Sequence, residues 1–341
     1  MKRFLVYMLK CFVAAVISVA LLSLISMVYY NPPIAVEQPN GVTNFKYTPD
    51  TSWSFMWEGY GHGKTDSIGY NNAYYDNLTD PDIVFVGSSH MEALQVPEDK
   101  NCVYVLNEKF DKDDSKDNDY KCFNLGMSGH FFEITASNYR YIAQEYKDAK
   151  YIVLEAFNVE YSPEMLDNML AEKYREPIEK KGFIAETVQK VPFFRLMYKK
   201  LNETMSVSVA PETAPGDEKE PDINVYIEKM GAVLDKIANI SEENGVQPII
   251  LLHERFWRDK EGNIVLEMDE KHKNAFKKCC AERGIEVIDV SAEMIEHYEK
   301  TDEFSYGFAN STPGEGHLNT TGHAIIADVV YKHINEMEER K

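Results

Sequence analysis

The sequence predicts an α/β protein: a doubly wound, flavodoxin-like parallel sheet of about five strands with helices on both faces, behind one N-terminal transmembrane helix. Three observations carry this. Short apolar runs recur at Ile83–Gly87, Cys122–Leu125, Tyr151–Ala156, Pro248–Leu252 and Glu286–Val290. Segments with helical spacing separate them, and alternation of that kind builds parallel sheets covered on both sides. One long uncharged apolar run lies near the amino terminus.

Taken in order, Lys2, Arg3 and Lys10 precede an apolar run from about Cys11 to Tyr30. About twenty residues of helix span ~30 Å, the thickness of a bilayer core. No Lys or Arg follows until Lys46, so the positive-inside rule keeps the amino terminus cytoplasmic and turns the rest of the chain outward. A cleaved signal peptide is the rival reading. The length of the run, the lack of an A-x-A site and the interfacial placement of Tyr29 and Tyr30 favour an uncleaved anchor over residues 1–30.

Residues 31–80 are rich in Tyr, Trp, Asn and Gly without a sustained period, and predict an irregular stalk packed on the main domain. Its Gly59–Gly63 stretch lacks the preceding strand and following helix of a phosphate loop, so a turn is expected there. The main domain is expected over 81–341. The first strand, Ile83–Gly87, ends in Gly and reads as fully buried. Helices are expected around Phe131–Tyr146, Val225–Glu243 and Glu270–Glu282, and after Asn319. The alternation breaks at about 162–222. There a helix-prone, Lys-rich segment and the Pro- and acid-rich Ala210–Asp222 predict an inserted lid or a structural excursion with a mobile loop.

Composition excludes several functions. The formal net charge is −20, which opposes nucleic-acid binding. None of the five cysteines lies in a CxxC pair, so neither a zinc nor a thioredoxin-type site is expected. Cys102 and Cys122 are simplest as free thiols, although an external disulfide is open to them. No HExxH, Walker A, GxGxxG or G-x-S-x-G occurs, and no metal or cofactor is expected.

In a doubly wound sheet, ligands bind beyond the carboxyl ends of the strands. Gly87-Ser88-Ser89-His90 follows the first strand, Asn124-Leu125-Gly126-Met127-Ser128-Gly129 the second and Phe157-Asn158 the third. Gly314-Glu315-Gly316-His317-Leu318-Asn319 precedes the last helix. A hydroxyl, a glycine turn, a carboxamide and an acid–His pair therefore meet at one edge. A Ser hydroxyl needs a neighbouring base, usually His, and a carboxylate fixes the imidazole tautomer. Backbone N–H groups and an Asn amide can hold a developing oxyanion, each donor being worth ~3 kcal/mol of barrier.

These blocks resemble, in order, the four sequence blocks of the SGNH (GDSL-like) hydrolases. Gly87-Ser88-Ser89 is similar to their GDS block, and Asn124 to Gly129 to N-x-G-x-x-G. Asn158 corresponds to the third-block Asn, and Glu315 to His323 to D-x-H-L-N-x-x-G-H. The resemblance implies the SGNH fold, with Ser89 as nucleophile, His317 as base and Glu315 orienting it. It implies an oxyanion hole of the Ser89 N–H, the Gly129 N–H and the Asn158 side chain. Ser88 and Glu315 each replace an Asp, and Asn158 lacks the G-x-N-D context. A GSS first block is similar to the membrane-anchored protein of teichoic-acid D-alanylation.

The expected activity is an esterase or deacetylase, or an O-acyltransferase, on an extracytoplasmic glycan or cell-wall polymer. In the transferase case a membrane acyl-donor protein is an expected partner. The alternative is a catalytically inactive protein of this fold serving envelope assembly or glycan binding. His90 and His130 each follow a motif and are open to lining the pocket or to packing, while Asn319 is expected to cap the last helix and His323 to be structural. Trp53, Trp57 and Trp257 could stack on a sugar, as in a carbohydrate-binding module built on the aromatic stalk, but core or interface packing is the preferred reading for each, while Glu254 and Arg255 border the site by position alone.

Overall fold

The structure is a computed structural model that describes residues 2–38, 41–75, 80–113, 119–175, 190–208 and 222–340. Its centre is a five-stranded parallel sheet of β1 (Ile83–Val86), β2 (Cys122–Asn124), β3 (Tyr151–Ala156), β4 (Gln247–Leu252) and β5 (Glu286–Asp289), in the order β5-β4-β3-β1-β2. This is the doubly wound, flavodoxin-like order. Every residue of β1 and β3 is buried, which is why β1 reads as an unbroken apolar run and β3 as one interrupted only by Glu155, rather than as alternating strands.

The helices are α1 (Lys2–Tyr29), α2 (Ser89–Glu92), α3 (Cys102–Lys112), α4 (Phe132–Glu145), α5 (Pro163–Leu170), α6 (Pro192–Ser208), α7 (Ile223–Asn244), α8 (Glu270–Ala281), α9 (Ser291–Thr301) and α10 (Thr320–Glu339). Two apolar cores lie on opposite faces of the sheet. Tyr139 of α4, Leu234 of α7 and Phe276 of α8 fill one. Leu106 of α3, Met294 of α9 and Val330 of α10 fill the other. The chain leaves β1 for β2 on one side and returns past it to β3 on the other. The carboxyl ends of β1 and β3 therefore flank the crevice where such sheets bind ligands.

Helix ends follow local chemistry. Ser162 caps α5 at the Met165 N–H with Pro163 in the first turn, and Asp222 caps α7 at the Asn224 N–H. Gly245, with φ of 72°, closes α7 in the left-handed conformation that a side chain disfavours. Asn319 caps α10 at the Gly322 N–H, as its setting predicts.

α1 has 28 residues and a mean hydropathy of 2.6 over its most apolar window, and is almost wholly exposed. It is a candidate membrane anchor or signal sequence.

Where the sequence predicts an irregular stalk, the chain makes short antiparallel strands. Ser52–Phe55 pairs with Tyr30–Asn31 and with Gly61–Lys64, and Ala35–Glu37 pairs with Phe45–Tyr47. The expected turn at Gly59–Gly63 thus runs into a strand. Gly61 packs so closely that a Cβ would overlap the Leu94 carbonyl. The Ala210–Asp222 segment lies outside the described residues except for Asp222, and so do residues 176–189 of the insertion. Cys102 and Cys122 are both buried, free thiols.

Candidate active site

The turn after β1 is built by packing. Gly87 lies against the Glu155 and Met91 side chains with no space for a Cβ. Ser88 then caps α2: its Oγ accepts the His90 N–H at 3.3 Å. It also donates to Glu155 Oε1 at 3.1 Å, and the Ser88 N–H is held by the other carboxylate oxygen. Ser88 thus takes the capping role, which leaves Ser89 half-exposed at the rim.

Glu155 is anchored from beneath. His253 Nε2 lies 2.8 Å from its Oε1, and His253 Nδ1 lies 2.7 Å from the Tyr306 hydroxyl. With Glu155 as carboxylate, His253 donates through Nε2 and accepts the Tyr306 O–H through Nδ1, so the chain is satisfied with a neutral imidazole. Glu155 and His253 were not expected from the sequence. Their signal was a charge inside the apolar run of β3 and a histidine directly after β4.

His317 meets Ser89 across 228 residues of chain, Nε2 to Oγ at 2.9 Å. The other ring nitrogen goes to Glu58: Nδ1 lies 2.7 Å from Oε2, and the His317 backbone N–H donates to Oε1 at 2.9 Å. This corrects the expectation that Glu315 orients His317. Glu315 is exposed, between two glycines with φ of 84° and 74° that carry the backbone around it. Its place is taken from the N-terminal segment.

Burial alone pushes the Glu58 carboxyl up. The hydrogen bonds and charge of His317, with a smaller contribution from Lys199, more than offset this and hold it below the usual value. A carboxylate kept ionised there favours the Nδ1–H tautomer and leaves Nε2 to accept from Ser89.

Glycines admit Glu58. A Cβ on Gly316 would overlap Glu58 Oε1, and one on Gly59 would overlap the Gln95 carbonyl. Asn310 pins the same loop, accepting the Gly59 N–H at 2.9 Å and donating to the Gly59 carbonyl at 2.8 Å.

The second turn sits beside the first. Asn124 accepts the Gly126 N–H at 2.8 Å and donates to the Met91 carbonyl at 2.7 Å. Gly126 abuts the backbone of Met91 and Glu92. Buried Glu92 accepts the Ser128 N–H at 3.0 Å, together with the Ser128 and Tyr47 hydroxyls. Gly129 follows with φ of 79°. Among the described residues neither the Ser89 nor the Gly129 N–H has a protein acceptor.

Asn158 is exposed, and its Oδ1 accepts the Glu160 N–H at 2.8 Å, an Asx turn that leaves the NH2 as its outward-acting group. It lines a cavity of about 250 Å³ with Ser88, Phe132, Glu155, Phe157 and Tyr161.

The remaining candidates are structural. His90 packs against His317 at 5.2 Å between ring centroids and accepts the Leu318 N–H at 3.3 Å. Burial, followed by neighbouring His253, depresses its pKa and keeps it neutral. His130 accepts the Asn44 N–H, and His323 the Cys102 N–H. Glu254 is buried against Lys273, and Arg255 pairs with Glu267. Among the described residues no group of three or more His, Cys, Asp or Glu side chains is arranged to hold a metal ion.

No protein-family model matches the sequence, and no curated protein does. Solved structures similar to the chain include an acetyl xylan esterase, at 13% identity over 74% of this chain and 98% of that one, with a TM-score of 0.40. A putative GDSL-like lipase from Parabacteroides merdae gives 11% identity, 75% and 96% coverage and a TM-score of 0.40. A putative acylhydrolase from Bacteroides fragilis gives 11%, 76% and 92%, with 0.37. At these identities and TM-scores the likeness carries no argument; the fold rests on the sheet order and the chemistry on the site's own distances.

Proposed function

We propose that the chain is a serine acyl-ester enzyme of the SGNH type, working through an acyl-Ser89 intermediate. The carrying observation is the relay from Ser89 Oγ to His317 Nε2 at 2.9 Å and from His317 Nδ1 to Glu58 Oε2 at 2.7 Å. Ser89 attacks the ester carbonyl while its proton passes to Nε2. The resulting imidazolium is stabilised by ionised Glu58. The Ser89 and Gly129 N–H groups and the Asn158 amide are the donors offered to the oxyanion. His317 returns the proton to the departing alkoxide. A second nucleophile, deprotonated by His317 in turn, then resolves the acyl-enzyme.

If that nucleophile is water, the protein is an esterase or deacetylase. If it is a sugar hydroxyl, the protein is an O-acyltransferase that a membrane acyl-donor protein would supply. The anchor reading of α1 places the site outside the membrane, where an acylated glycan or wall polymer is the substrate class that fits. The test uses the full chain in detergent with 4-nitrophenyl acetate, with and without a deacetylated glycan acceptor. Acetate release indifferent to acceptor supports the hydrolase, and acetyl on the acceptor supports the transferase. The absence of both turnover and acetyl-Ser89 on rapid quench would sink the proposal.

A further inference from the structure

α6 takes no direct part in the relay, yet its composition is unlike the rest of the chain. Residues 190–201 hold Lys190, Arg195, Lys199 and Lys200 with no Asp or Glu, in a protein of formal charge −20. One side of the helix is engaged at the exit of α1. The Arg195 guanidinium donates to the Pro32 carbonyl at 2.6 Å and to Asn31 at 3.2 Å. Lys199 Nζ lies 5.2 Å from the Tyr30 ring and 5.1 Å from the Trp57 ring. The helix also packs along α1 itself.

The other side is apolar and open. Phe194, Met197, Tyr198 and Leu201 recur at i, i+3, i+4 and i+7, so they share one face, and they are 41%, 52%, 52% and 57% exposed. Val28 and Tyr29 at the end of α1, and Ile34 just beyond it, are also exposed. A contiguous apolar stripe of this kind marks an interaction surface.

We propose that this face of α6 docks on an anionic lipid bilayer, seated at the boundary between headgroups and acyl chains of the membrane that α1 crosses. Aromatic and aliphatic side chains on one face with Lys and Arg beside them are the composition of an interfacial helix. Each cation near an anionic surface adds attraction. Continuity with α1 favours lipid over a separate partner, because a helix packed along a membrane-crossing segment lies beside the bilayer, and the local cations of α6 set it apart from the acidic remainder of the chain.

The consequence reaches the site. Trp57 packs on Tyr29 and Tyr30, with ring centroids 6.1 and 6.2 Å away, and Glu58 is the next residue. The acid that orients His317 is thus delivered by a segment clamped between the end of α1 and α6, which holds the mouth of the site at the membrane surface. This goes beyond the enzymatic reading and depends only on α1 spanning the bilayer.

The test places nitroxides on the full chain in nanodiscs of mixed phosphatidylcholine and phosphatidylglycerol. Cys11→Ser removes the one exposed thiol, since the other four are buried. Labels go on Met197→Cys, Leu201→Cys, Val16→Cys within α1 and Lys300→Cys at an exposed position of α9. Labels at 197 and 201 should collide severalfold more with oxygen than with an aqueous nickel chelate, as at 16, and the ratio should invert at 300. In pure phosphatidylcholine the contrast at 197 and 201 should weaken. The proposal is overturned if 197 and 201 behave like 300 while 16 reports lipid. It is overturned equally if both are shielded from both reagents, which indicates a protein partner, or if 16 is itself aqueous. Esterase turnover does not enter the readout, so failure here leaves the enzymatic reading untouched.

Discussion

Glu58→Gln keeps the side chain's shape and removes its charge. In the native site each carboxylate oxygen accepts one hydrogen bond, from the His317 N–H at 2.9 Å and from Nδ1–H at 2.7 Å. A carboxamide offers one acceptor and one donor group. If its oxygen stays on Nδ1, its NH2 faces the His317 N–H. If it turns, the NH2 faces Nδ1 and moves the imidazole proton to Nε2, where it opposes the Ser89 hydroxyl. In either pose the base is misplaced or in the wrong tautomer. Loss of the orienting acid in Ser-His-Asp enzymes costs about 10⁴-fold, so kcat/KM should fall by about 10³–10⁴, or ~4–5.5 kcal/mol of barrier. Initial rates on 4-nitrophenyl acetate measure this, with thermal unfolding alongside to confirm that the variant is folded. Glu315→Gln, at an exposed position, should stay within about twofold. The reasoning is refuted if Glu315→Gln shows the large loss and Glu58→Gln does not.

Three further outcomes follow from the same geometry. Gly316→Ala sets a Cβ against Glu58 Oε1 at a φ of 74°; it should cost ~1–2 kcal/mol in urea unfolding and lower turnover more than Km changes explain. Asn158→Ala removes the amide proposed as an oxyanion donor and should lower kcat by about 10²-fold or more with little change in KM, read from steady-state kinetics. His90, His130 and His323 are kept neutral, chiefly by burial, His130 at about 4 and His323 at about 3. Their folded pKa values lie below the unfolded value of ~6.5, so the unfolded chain binds more protons on acidification. The part of the stability these three histidines contribute should be complete above pH ~6.5 and be lost as the pH falls toward ~4. Urea midpoints across that range check this, and a flat profile contradicts it.

The sheet was legible because burial on both faces makes each strand an apolar run. Ile83–Val86 and Tyr151–Ala156 match the expected runs almost to the residue. α3 and α9 were not foreseen: each has only 11 residues and buries a narrow stripe, a weak periodic signal. The strands between Phe45 and Lys64 were hidden for another reason, since three or four residues with half-buried side chains give no alternation to detect.

The four turns at the sheet edge could be read because each follows a recognisable strand or precedes a cap. Glu58 could not. It lies 259 residues from His317 and borrows no spacing from it, whereas Glu315 sits two residues away and draws the eye. The trace it left was steric. Gly59 and Gly61 follow it in sequence and Gly316 faces it, all three at positions where backbone or carboxylate leaves no room for a Cβ.

The most direct measurement is peptide mapping by mass spectrometry after treating the full chain with a fluorophosphonate. The account predicts a single phosphonyl adduct on Ser89, formed slowly or not at all in His317→Ala. An unmodified Ser89 in folded protein, or an adduct on Ser88 in its place, would contradict it.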